Sequence, residues 1–180
     1  MSDAGHCPRP AGGDTAPRRT QENEWSQVND DFRQRLTAAY DSWGTSAGTT
    51  PAQFFELMDE AIEFHTVLER EFPHDPLSGP FSGRAAVIGY WTAIAESWEL
   101  VSSKTDAIVA DGDRVVWIGR VRWRNRRTLR ELVSPKIDIW TVWKDRAIRY
   151  LEMFDSAGYA RAAGHLDGPA AASVRAEVQG

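Results

Sequence analysis

The chain has little cysteine, no excess of basic charge and no long apolar run, and each shortage removes a class of protein. Cys7 is the single cysteine in 180 residues. It cannot form an internal disulfide, and nothing suggests a secreted, disulfide-stapled scaffold. Lys and Arg number 21 against 26 Asp and Glu, a net charge of -5. That argues against nucleic acid or an anionic membrane as partner, because both require a basic footprint. No apolar stretch approaches the roughly 20 residues of a bilayer span. The N-terminus lacks the apolar central region of a signal peptide, so the expectation is a soluble cytoplasmic protein. His6, His65, His74 and His165 are scattered without ligand spacing, so no metal is expected. A phosphate-binding glycine loop, a nucleophile elbow and internal repeats are also missing, and no cofactor is expected.

Aromatic residues are plentiful instead. Six of the eight tryptophans (Trp91, Trp98, Trp117, Trp123, Trp140 and Trp143) lie in one central stretch. They are core residues first and a flat apolar wall for a ring-shaped ligand second. Much of that stretch alternates with a period of two. Val115, Trp117, Gly119, Val121 and Trp123 fall on one side of a strand, and Val116, Ile118, Arg120, Arg122 and Arg124 on the other. A second strand over residues 132–143 places Lys136, Asp138, Trp140 and Val142 on one face. A third runs from Ile148 to Phe154 after a short hairpin connection, Lys144-Asp145-Arg146. The six arginines between Arg120 and Arg130 read as a solvated face at a hairpin tip, balanced by Glu131; Arg120 lies deeper in its strand.

Upstream, Trp25, Val28, Phe32, Leu36, Ala39 and Trp43 form the stripe of a first helix, with Tyr40 bordering its buried face. Thr50-Pro51-Ala52-Gln53 predicts a capping box that starts a short second helix. Ala61 to Thr66 reads as a short strand, and the Pro- and Gly-rich segment after it as a cavity rim. Ser82 is the expected cap of a third helix with Val87, Trp91, Ile94 and Trp98 on its stripe. Leu100 to Ala110 is a strand, and SAGYARAAG after Asp155 a short terminal helix. Residues 1–24 and 165–180 read as flexible tails around one domain, 25–164. Helices segregated onto one face of an antiparallel sheet make an α+β domain.

This order resembles the NTF2-like superfamily, in particular its SnoaL-like and ketosteroid-isomerase-like members. The segments that carry the resemblance are AAYDSWGTSAGTTPAQFFELMDEAIEFH, PFSGRAAVIGYW and IDIWTVWKDRAIRYLEMFD. The resemblance implies a cone: a curved antiparallel sheet wrapped around three to four helices, with an apolar pocket and often a homodimer formed through the outer sheet face. It also implies the chemistry of the ketosteroid isomerases, in which a carboxylate moves a proton alpha to a carbonyl while a tyrosine and a protonated aspartic acid hold the oxyanion. Tyr40 matches the tyrosine and Asp138 the aspartic acid. The base position falls on His65, an imidazole in place of a carboxylate, able to accept a proton near neutral pH. If His65 and Asp138 touch, they form a His/Asp dyad instead.

Trp140, Trp91, Arg120 and Asp155 are the candidate substrate contacts. Arg120 and Asp155 also match part of the Asp/Arg/Asp set of limonene-epoxide-hydrolase-like relatives, but Arg122 stands where the remaining aspartate belongs, which ranks epoxide hydrolysis low. The expected ligand is a small apolar carbonyl compound, for isomerisation, cyclisation or dehydration. The alternatives are a non-catalytic ligand-binding domain and a dimerisation module.

Overall fold

The computed structural model describes residues 18–69, 71–72 and 74–167. In order these form α1 (Arg18–Thr45), α2 (Ala52–Leu57), β1 (Met58–Thr66), β2 (Phe81–Ser82), α3 (Arg84–Ser97), β3 (Trp98–Asp111), β4 (Arg114–Asn125), β5 (Glu131–Trp143), β6 (Arg146–Phe154) and α4 (Ser156–Ala163). Residues 18–24, expected in the tail, are helical. The rest of the expected N-terminal tail, and residues 168–180, lie outside the described residues.

Phe32, Leu36, Ala39, Tyr40 and Trp43 recur at helical spacing, and all are buried. They lay α1 against the sheet while Asp30–Arg33 and Asp31–Arg35 pair in solvent. The two expected caps do not form. The Thr50 hydroxyl bonds those of Ser46 (2.8 Å) and Ser42 (3.1 Å) instead of an α2 amide. Ser82 belongs to β2, opposite Glu63, and Gly83 turns the chain into α3 at φ 85°. Asp155 does cap: its Oδ1 accepts from the Gly158 amide at 2.8 Å.

The sheet runs β2-β1-β6-β5-β4-β3. It is mixed rather than wholly antiparallel, because β1 lies parallel to β6 while every other pair is antiparallel. Curvature has a local source. β3 carries an extra residue relative to β4 between Leu100 and Ser102 and again between Thr105 and Ala107, and β6 carries one beside Thr141 and Val142 of β5. Each bulge bends its strand and sharpens the twist, so the sheet wraps over the helices.

The arginine-rich hairpin is a fastening. Arg122 and Arg124 meet Glu131 on the outer face. At the tip, Arg126 donates to the Ala95 carbonyl at 3.1 Å, Arg130 to the Arg161 carbonyl at 3.0 Å and Thr128 to the Ala162 carbonyl at 2.5 Å. Arg127 donates to the Ala163 carbonyl. The last turns of α3 and α4 therefore find donors for carbonyls that have no partner within their own helix.

Candidate functional site

Strand register assembles the interior in rungs. Trp117 of β4, Asp138 of β5 and Glu152 of β6 are successive partners on the concave face; so are Val115, Trp140, Tyr150 and Phe64. Gly119 lies opposite Lys136 in the next rung. A Cβ at Gly119 would come within 2.4 Å of both the Trp117 ring and the Lys104 carbonyl, so only glycine leaves room for that indole. The indole in turn stacks on Tyr40 at 4.5 Å and 12°. Tyr150 is sandwiched between Trp140 (4.1 Å) and Phe64 (4.6 Å).

Between these rings lies a polar network. Lys136 Nζ bonds both oxygens of Asp138 at 2.5 Å and Glu152 Oε1 at 2.9 Å. The Tyr40 hydroxyl donates to Asp138 Oδ2 at 2.5 Å, the Tyr150 hydroxyl to Asp138 Oδ1 at 3.1 Å, and Trp140 Nε1 to the Tyr40 oxygen at 3.3 Å. The Tyr90 hydroxyl donates to Glu152. Asp138, Glu152 and Lys136 are 0%, 5% and 7% exposed, which places one ammonium and two carboxyl groups in the core. Burial that deep is tolerated only when the charges are paired and hydrogen-bonded.

Protonation follows the surroundings. Burial raises the Asp138 carboxyl, with the Glu152 carboxylate adding to it and the Lys136 ammonium opposing. Burial alone would lower Lys136, but Asp138 and Glu152 outweigh it and hold the ammonium above the ordinary lysine range. Burial, then the neighbouring carboxylates, pushes the phenols of Tyr40, Tyr90 and Tyr150 well above the usual value.

An apolar cavity of about 40 Å³ adjoins the network. Val121, Trp123, Leu132 and Phe154 are among its walls, and Lys136 and Glu152 are the charged residues lining it, together with the phenols of Tyr90 and Tyr159. Among the described residues, no three His, Cys, Asp or Glu side chains gather as a metal site.

Of the residues singled out in the sequence, Tyr40 and Asp138 meet, but they stand behind Lys136 and Glu152 and do not line this cavity. Trp140 joins them as a donor. His65 does not. Ile62, Phe64 and Thr66 point inward, so alternation sends His65 to the outer face, where its Nδ1 meets Glu69 at 2.7 Å. Of the two arrangements the sequence leaves open, the His/Asp dyad is therefore not formed. Arg120 is also outward and pairs with Asp106 at 3.1 Å. Asp155 serves as the α4 cap. Trp91 faces a separate groove of about 360 Å³ with Trp43 and Phe55. Lys136, Tyr150, Glu152 and Tyr90 are the site residues that sequence reasoning misses. Alternation already puts Lys136 beside Asp138, and the spacing of Tyr150, Glu152 and Phe154 carries the same signal.

Residues 36–151 match the family described as the SnoaL-like domain. Among solved structures, an NTF2-like protein of unknown function from Burkholderia pseudomallei is 17% identical, covering 73% of this chain and 95% of its own, with a TM-score of 0.63. An NTF2-like protein from Burkholderia xenovorans is 24% identical over 76% of this chain and 96% of its own, at 0.60. A protein assigned as a SnoaL-like polyketide cyclase from Jannaschia sp. is 14% identical over 84% of this chain and 96% of its own, at 0.59. No curated protein matches significantly. At these identities the structures share the NTF2-like fold with this chain.

Proposed function

Because the chain belongs to the SnoaL-like domain family, we propose that its interior binds a small, largely apolar carbonyl compound and performs acid/base chemistry of the isomerase or cyclase kind. One observation carries this reading: Lys136 and Glu152, the latter accepting from the Tyr90 hydroxyl, bring charged groups to an otherwise apolar cavity. The Glu152 carboxylate accepts a proton from the carbon next to the carbonyl. The C–H electrons become the C=C bond of an enolate, and the charge on oxygen is stabilised by the Lys136 ammonium. Return of the same proton to another carbon completes an isomerisation with nothing gained or lost. Asp138, Tyr40 and Tyr150 position Lys136 rather than touch the ligand. The similarity to a protein assigned as a polyketide cyclase supports a ring-shaped substrate.

The test is turnover of a panel of cyclic enones by wild type, Glu152→Gln and His65→Ala. Glu152→Gln should lose roughly 10²-fold or more in rate, and His65→Ala should retain it. An unchanged rate in Glu152→Gln would remove the mechanism. A second reading is favoured by the way the polar groups satisfy one another: a domain that binds the same class of compound without converting it. Saturable binding with no turnover across the panel would select it.

A further inference from the structure

The cavity is too small for the ligand assigned to it. Its volume of about 40 Å³ admits about three waters, whereas a cavity that takes a benzene ring runs to roughly 150 Å³. A ligand must therefore displace part of the wall. Next to the cavity lies a surface vestibule of about 320 Å³, bordered by Arg126, Arg127 and His165. Leu77, Trp98 and Tyr159 line both spaces and so form the partition between them.

The partition is fastened on one side. The Tyr159 ring lies on Trp98 at 5.2 Å and 29°, and its hydroxyl donates to Asp75 Oδ2 at 2.5 Å. The same oxygen meets His165 Nε2 at 2.7 Å, and His165 stacks on Phe72 at 4.8 Å. Asp75 Oδ1 accepts from the Leu77 amide at 2.8 Å, so one carboxylate holds both Leu77 and Tyr159 in place. Ile94, Trp98 and Trp123 separate the cavity from the Trp91 groove, but they belong to the regular elements α3, β3 and β4. Leu77 lies outside regular structure, between β1 and β2, and Arg127, Thr128 and Arg130 hold α4, so displacing the Tyr159 ring requires only rotation of its side chain.

We propose that Tyr159 and Leu77 are the door to the interior cavity, latched by Asp75 and His165, and that opening merges cavity and vestibule into one ring-sized pocket. The proposal rests on the reading that the ligand sits inside. Its test needs no ligand, so the two can fail separately.

In a Cys7→Ser background, Val121→Cys and Leu132→Cys place a thiol on the cavity wall, and Met58→Cys places one in the core away from it. Labelling by N-ethylmaleimide is then timed with and without Tyr159→Phe, which removes only the latching hydroxyl. Asp75→Asn serves as an independent latch variant. The expected result is labelling at least tenfold faster at Val121→Cys and Leu132→Cys in either latch variant, with Met58→Cys unchanged. Equal rates at the cavity positions would overturn the door. So would acceleration of equal size at all three cysteines, since the latch would then be holding the whole fold.

Discussion

Lys136 sets the charge balance of the interior. Its ammonium lies against Asp138 and Glu152 and about 5.7 Å from the Trp117 ring centre, at the junction of network and cavity. Lys136→Met keeps the volume and removes the charge, leaving two carboxyl groups facing each other away from water. The expected loss is roughly 3–5 kcal/mol by chemical denaturation at neutral pH, as for other broken buried pairs. The deficit has a pH signature. The folded Asp138 carboxyl already titrates above its unfolded value, and removing the ammonium that opposes this raises it further. Stability tied to such a group is fully present below the unfolded value and is lost as pH rises through the folded one. The variant should therefore lie closest to wild type near pH 4, about where an unfolded aspartate titrates, and fall behind as pH rises. A deficit independent of pH would mean that Lys136 acts through packing alone. The inward placement of Tyr40 and Asp138 is legible in the sequence, because Tyr40 borders the α1 stripe and Asp138 alternates with Trp140, but it is the family resemblance that singles them out. Lys136 shares the stripe of Asp138, yet its surroundings depend on Glu152 of the neighbouring strand, whose register opposite Asp138 local periodicity does not record. The resemblance puts His65 at a base position, whereas its own strand pattern points it outward, away from Asp138.

At the scale of elements, the sheet is the most legible part. Strict alternation in β4 and β5 decides which side chains face inward, and the helix stripes follow the same logic. The parallel pairing of β1 with β6 is not legible, because nothing in either segment records a partner so far along the chain. Nor are the bulges, which are decided by how two strands fit together. The outer sheet face carries an apolar strip across the rungs: Val116 opposite Ile139 and Ile118 opposite Ile137, continued by Leu151 and Met153. Ile118 and Ile137 are each 37% exposed and Met153 41%. Arg120, Arg122 and Arg124 lie along one end of this strip, with pairs Asp106, Glu131 and Glu99. An apolar strip with paired charges at one end suits a self-complementary contact, and we propose a homodimer through this face. Ile137→Glu places a charge at its centre and should halve the mass measured by sedimentation equilibrium while leaving the monomer folded. An unchanged mass in that variant, or a wild-type chain that sediments as a monomer, would remove the sheet contact.

The whole molecule offers one property that no single residue shows. The chain has four tyrosines, Tyr40, Tyr90, Tyr150 and Tyr159, and all four phenols titrate above their ordinary value. For each the first cause is burial, and for each a neighbouring carboxylate adds to it: Asp138 for Tyr40 and Tyr150, Glu152 for Tyr90, Asp75 for Tyr159. Lys136 is shifted the same way, so five groups bind their protons more tightly in the folded chain than in the unfolded one. The sign of the consequence follows directly. Groups raised on folding contribute stability that is complete below their unfolded values and disappears as pH climbs through the folded ones. The loss therefore begins only near pH 10, where unfolded tyrosine and lysine titrate. Below that point, pH should have little leverage through these groups. Above it, the unfolded chain releases protons that the folded chain retains, and all five act in the same direction. An alkaline titration followed by phenolate absorbance should accordingly show almost no signal at pH 10, then a single steep rise coincident with the loss of tryptophan fluorescence structure. A tyrosine that titrates gradually near pH 10 while the fold persists would show at least one of these hydroxyls to be in contact with solvent. Tyr159 would be the first suspect, since the proposed door opens there.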